Sequence, residues 1–149
     1  MPPFRFRLQR VFDWQSKVCL LEEEKVRLGR YAVAGTEARI AQLRADLTAI
    51  EQEALSRHAL QAADLAALDR YRLMTLQSGR KLETKKLEQI RLLEKQLLSL
   101  HAERRRLRMI GKLRERAETE YRTEAGRELE ALALDSHLSR WAREAAGPA

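Results

Sequence analysis

Apolar positions recur at heptad spacing through the first third of the chain. Val11, Trp14, Val18, Leu21 and Leu28 fit one seam register. Val33, Ile40, Leu43, Leu47, Ile50 and Ala54 fit a second, shifted by one residue, and Gly29 and Gly35 bracket the shift. This pattern predicts a helix carrying a local skip of the kind seen in coiled coils. Each glycine costs a helix interior ~1 kcal/mol relative to alanine, so a bend or soft point is expected there. Lys25 and Thr36 at seam positions argue against a simple parallel zipper.

The stretch 55–64 breaks the heptads. Ser56 and His58 are modest helix formers, and Asp64 stands before Leu65 and Leu68 as a candidate N-cap. The expected elements are helix one over about 5–55, a reversal over about 56–63 and helix two over about 64–145. Ser78 and Gly79 form a rival turn, but Leu76 and Leu82 on either side fit a continuing helix. The second seam is clearest at Ile90, Leu93, Leu97, Leu100 and Leu107, and runs on through Leu113, Ala117 and Tyr121. Leu134, Leu138 and Trp141 form a further stripe. At 1.5 Å per residue the helices would be ~75 and ~120 Å long, leaving about the last 30 residues of helix two unpaired. Such an overhang is marginal alone and asks for a partner.

Composition supports helix throughout. The three prolines, Pro2, Pro3 and Pro148, sit at the ends, so none interrupts 4–147. Charged residues make up 34% and aromatics 5%, a mix typical of long helices or coiled coil. The fold class expected is therefore all-α, a long two-helix antiparallel coiled coil forming one domain over 1–149.

The net charge of +7 is unevenly placed. Residues 80–116 hold 13 Lys/Arg and 5 Asp/Glu, or +8, and the rest of the chain is −1. A local basic surface suits an acidic protein, a nucleic acid or a membrane; the alternative is a solvated helix face. No run of 18 apolar residues and no secretory signal pattern is present, and Cys19 is the single cysteine. Heptad spacing from Phe12 and Val26 marks Cys19 as a small buried residue, and the cytoplasm is the expected compartment.

Candidate chemistry is sparse. The glycines are scattered, and His58, His101 and His137 lie too far apart for a local metal motif. Glu22, Glu23 and Glu24 read as a solvated face. No enzyme activity, cofactor, metal or small-molecule substrate is expected. The basic cluster Arg104, Arg105, Arg106, Arg108, Lys112, Arg114 and Arg116 wraps the helix circumference without interleaved aromatics, which argues against base stacking on single strands. Tyr71, Leu73, Met74 and Leu76 offer more apolar bulk than one seam buries, and Trp141 is a docking candidate.

The opening Phe4-Arg5-Phe6-Arg7-Leu8-Gln9-Arg10-Val11-Phe12 resembles the start of the flagellar export protein FliJ family. Phe12 stands where that family usually has an aliphatic residue. Gly111-Lys112-Leu113-Arg114-Glu115-Arg116, with Tyr121, Glu124, Arg127, Glu128 and Asp135 following, is similar to its second signature. The resemblance spans nearly the whole chain. It implies an antiparallel coiled coil like the central stalk of a rotary ATPase. It also implies a non-enzymatic role in flagellar type III export, at the cytoplasmic face of the inner membrane. Implied partners are the hexameric export ATPase, the transmembrane export-gate protein and export chaperones. The residues implied at the ATPase are Phe4, Phe6, Arg7, Leu8, Arg104, Arg105, Arg106, Arg108 and Lys112; those implied at the gate are Tyr71 and Met74. The equivalent stalk of a virulence secretion system, a nucleic-acid-binding coiled coil and a self-associating scaffold stay open as alternatives.

Overall fold

In the computed structural model the protein is described over residues 2–57 and 59–147. It is an all-α helical hairpin. Helix α1 spans Gln9–Ser56 and α2 spans Ala62–Ala145, 48 and 84 residues long. His58, expected in the reversal, and Pro148 lie outside the described residues. Two compact units are distinguished. Met1–Val18 with Glu103–Ala149 make the terminal unit, and Cys19–Ala102 make the loop unit.

Helix α1 begins at Gln9, not near residue 5. Its first turn is set by the Gln9 amide donating to the Phe6 carbonyl at 3.1 Å and the Phe12 amide donating to the Leu8 carbonyl at 2.9 Å. The residues before it are held elsewhere, as described below. Helix α2 starts two residues before the expected point, and Asp64 is not its N-cap. The carboxylate of Asp64 accepts the Gln61 amide at 3.2 Å while the Gln61 carbonyl accepts the Asp64 amide at 3.0 Å. Gln61 is thus the cap, and Asp64 is the returning half of a capping box, well placed for the positive end of the helix dipole. The helix runs unbroken through Ser78 and Gly79.

The seam of α1 follows one heptad frame, without the expected skip. In the terminal unit it passes through Phe12 and Gln15. In the loop unit the same frame passes through Cys19, Glu22, Val26, Gly29, Val33, Thr36, Ile40, Leu43 and Leu47. Cys19, Val26 and Ile40 are 4–5% exposed, whereas Trp14, Leu21 and Leu28 of the expected first register are 54–64% exposed. The second register was the true one, extending back past Gly29. Its polar members hid it: a seam with Gln, Glu, Gly and Thr at every seventh place has a weak apolar signature, and the neighbouring row of large apolar residues is stronger.

Those polar members have partners across the seam. In the terminal unit the Gln15 Nε2 donates to the Glu103 carboxylate at 2.6 Å. In the loop unit the Thr36 hydroxyl meets the Gln89 Oε1 at 2.7 Å. Glu22, expected on a solvated face, has only 13% of its side chain exposed. Its carboxyl is held below the usual range by a hydrogen bond from Lys25, with a further one from Ser99. Because the folded value is lowered, this contact stabilises the fold above the ordinary carboxylate range and is lost as pH falls through it. Lys25, expected at the seam, is exposed. A Cβ on Gly29 would stand 2.6 Å from the Gln96 Oε1 and 3.2 Å from the Leu93 Cδ1. Gly29 therefore makes room for the Gln96 amide, and that Gln96 oxygen has no hydrogen-bond partner among the described residues.

On α2, Leu93, Leu100 and Leu107 take the seam as expected, with Ala117 and Tyr121 continuing it. Ile90 and Leu97 flank it half-buried, and Leu113 is turned outward, 47% exposed. From 127 to 147 every residue is exposed, matching the expected overhang. Ion pairs Arg44–Glu83, Lys86–Glu37 and Arg72–Glu51, at 3.1, 3.4 and 2.6 Å, border the loop-unit seam. Being exposed, each adds at most ~1 kcal/mol.

Two outcomes test this seam. Ile40→Ala should cost about 2–4 kcal/mol and Leu21→Ala under ~1 kcal/mol in urea unfolding; equal costs would refute the single frame. Gln96→Leu removes the unpartnered oxygen and should stabilise by about 1 kcal/mol. A lower melting temperature by circular dichroism would contradict the account of Gly29 and Gln96.

Candidate functional site

The terminal unit brings together the two ends of the sequence. The Phe4 and Tyr121 rings lie 5.5 Å apart, tilted by 54°. The Tyr121 hydroxyl donates to the Pro2 carbonyl at 2.7 Å. These contacts tie the irregular segment before α1 to α2. An edge-tilted aromatic pair adds ~0.5–1.5 kcal/mol beyond its area, and the hydrogen bond ~1 kcal/mol. One turn into α1, the Phe12 ring lies 3.9 Å from where a Gly111 Cβ would stand, and the Arg114 guanidinium sits 5.4 Å from its centroid. Gly111 lets the ring approach the helix, and Arg114 covers it as a cation over a π face.

The expected ATPase residues all fall in this unit. Phe4 and Phe6 are half-buried; Arg7 is exposed and Leu8 marginally so. Arg104, Arg105, Arg106, Arg108 and Lys112 are exposed. Arg106 pairs with Glu103 three residues earlier, and Glu103 also holds Gln15, so one end of the basic cluster is fixed to the seam. Arg114 departs from the expected wrapping array: it is half-buried on Phe12 and serves packing. The pairing of Phe12 with Arg114 was missed in the sequence, because cation–π partners distant along the chain leave no local spacing.

Tyr71 and Met74 belong to the loop unit and differ in exposure. Tyr71 is half-buried and lines an open groove of ~280 Å³ with Ile50, Ala54, Leu60 and Leu68. Met74 is 68% exposed. Tyr71 is thus mainly part of the packing near the reversal, and Met74 carries the free apolar surface.

Among the described residues no cluster of three His, Cys, Asp or Glu is arranged to hold a metal ion. His101 and His137 are exposed on α2. Among the described residues no helix is long and apolar enough to cross a membrane. What this surface offers is cations and apolar anchors on a two-helix face, suited to recognising a complementary surface.

The strap at the N-terminus makes its own prediction. Tyr121→Ala removes both the ring contact and the hydrogen bond to Pro2. Trypsin cleavage after Arg5 and Arg7 should then accelerate about fivefold or more, while the helical circular dichroism signal stays within a few per cent. Unchanged cleavage would mean that the strap does not depend on Tyr121.

No family model, curated protein or solved structure matches this chain.

Proposed function

We propose that this protein is a non-enzymatic component of flagellar type III export, acting as the stalk and activator of a hexameric export ATPase. The observation that carries the reading is the terminal unit. The two stretches that resemble the FliJ family signatures, 4–12 and 111–121, lie a hundred residues apart in sequence, yet Phe4 meets Tyr121 and Phe12 meets Gly111 and Arg114. A shared motif whose halves pack together is a motif with a structural reason. Arg104, Arg105, Arg108 and Lys112 are exposed in the same unit as Leu8, which gives that unit a cationic and partly apolar surface. Such a face suits an acidic subunit surface, with charge governing encounter and apolar anchors governing residence.

Only two helices, each ~10–12 Å across, run side by side in this unit. A section that slender fits the axis of a ring where a globule does not. The open grooves offer no water-excluding pocket in which to tune a general acid or base, which favours a coupling role over catalysis. In the loop unit, exposed Met74, with Leu73 and Leu76 beside it, is the proposed contact for the export gate. Tyr71 supports that contact from the groove. Export chaperones would be handled by the same assembly, at the cytoplasmic face of the membrane.

The test is ATP hydrolysis by the cognate hexameric export ATPase with and without this chain. The chain should bind and speed hydrolysis severalfold. The double reversal Arg105→Glu/Arg108→Glu should remove most of the stimulation without changing the fold, since both side chains are exposed. Absence of binding to an active ATPase would overturn the proposal. A steep loss of affinity for duplex DNA with rising salt, in its place, would redirect the basic segment to nucleic acid.

A further inference from the structure

Past Gly126 every described residue of α2 is exposed, yet the helix is not uniformly polar there. Leu134, Leu138 and Trp141 repeat at spacings of four and three on one face, and they are 58–65% exposed. Nearer the seam, Met109 and Leu113 occupy the flank of the same helix and are 67% and 47% exposed. The heptad frame of α2 places Leu113, Glu120, Arg127, Leu134 and Trp141 on one row, each seven residues from the last, with Arg106 one step before them.

This row is complementary to its own reverse. Turn a second copy of α2 antiparallel about an axis between residues 123 and 124. Leu113 then meets the second copy's Leu134, and Met109 meets Leu138. Glu120 meets Arg127, and Arg106 meets Trp141. Every match is favourable: two apolar pairs, one ion pair and one cation over an indole face. The broader charge agrees. Residues 104–116 hold seven Lys/Arg and one Glu, a charge of +6, and residues 118–135 hold six Asp/Glu and two Arg, a charge of −4. The antiparallel arrangement lays each basic segment along the other copy's acidic one.

We infer that the exposed face of α2 over 106–141 is an isologous interface that takes a second copy of this chain. A two-fold contact requires self-complementarity of one patch, and this row has it. The overlap of 36 residues is ~54 Å long. Val11 and Trp14 of α1, 44% and 62% exposed, belong to the same unit and add to its apolar surface. In this pairing the second copy's 134–141 segment lies along residues 106–113, which gives the overhang a partner. The inference stands on the terminal unit alone and does not need the proposed ATPase partner.

The full-length chain should sediment as a concentration-dependent dimer in analytical ultracentrifugation. Leu134→Glu, at an exposed position of this segment, should raise the dimer dissociation constant at least about tenfold with helicity retained. A charge exchange gives the sharper reading. Glu120→Arg and Arg127→Glu should each weaken the dimer, because like charges then meet, and the double variant should restore it. Glu120→Cys with Arg127→Cys, in a Cys19→Ser background, should oxidise to a covalent dimer. A chain that stays monomeric to about 100 μM, well above the Kd range of specific dimers, would overturn the inference. So would a dimer whose double charge variant is no stronger than either single one.

Discussion

A two-helix seam buries little, and the consequences of that scarcity organise this protein. Among the described residues only Cys19, Val26, Ile40 and Leu100 are buried apolar groups, accompanied by buried Gln15, Thr36 and Thr75. With so little hydrophobic area, register rests on polar rungs that must find partners. Thr36 meets Gln89, Glu22 reaches Ser99, and Gln15 meets Glu103. Slipping by one heptad would set Leu82 against Thr36 or Gln89 against Leu43, leaving polar groups unpaired in the seam. An unpaired buried group costs ~1–3 kcal/mol, a large fraction of a marginal stability. The rungs therefore select one alignment from several that a purely apolar stripe would permit.

The same scarcity leaves apolar side chains outside. Trp14, Leu21, Leu28, Met74, Met109 and Trp141 are all more than half exposed, on a chain with mean hydropathy of −0.53. In a globule such residues would form a core. Here the number of faces exceeds the number of partners, and the surplus is surface available for recognition. The arginines beside it add reach: long side chains carry charge outward while their stems cover apolar neighbours. Arg114 shows the other use of the residue, turned inward over Phe12.

The terminal unit shows how a motif acquires a physical meaning. Phe4 is an irregular-segment residue, and its ring is fixed by Tyr121 from the far end of the chain. Glycine at 111 and arginine at 114 surround Phe12 on one turn of α2. Each of these residues is unremarkable alone. Together they fasten the N-terminus to α2 next to the densest run of positive charge.

The fold class, a reversal between two long helices and the exposed end of α2 were all legible in the amino-acid order. These depend on local properties: helix propensity, the absence of internal proline and the simple fact that helix two is longer than helix one. It also marked Cys19 as buried through its spacing from Phe12 and Val26. It did not determine which of two adjacent heptad rows in α1 forms the seam. Local apolarity favours Val11, Trp14, Leu21 and Leu28, and the structure places Gln15, Glu22, Gly29 and Thr36 inward instead. That choice belongs to the opposite helix, which supplies Glu103, Ser99 and Gln89 as partners and sets Gln96 against Gly29. Whether a polar residue belongs in a seam depends on what faces it, and only the tertiary structure brings the two sides together.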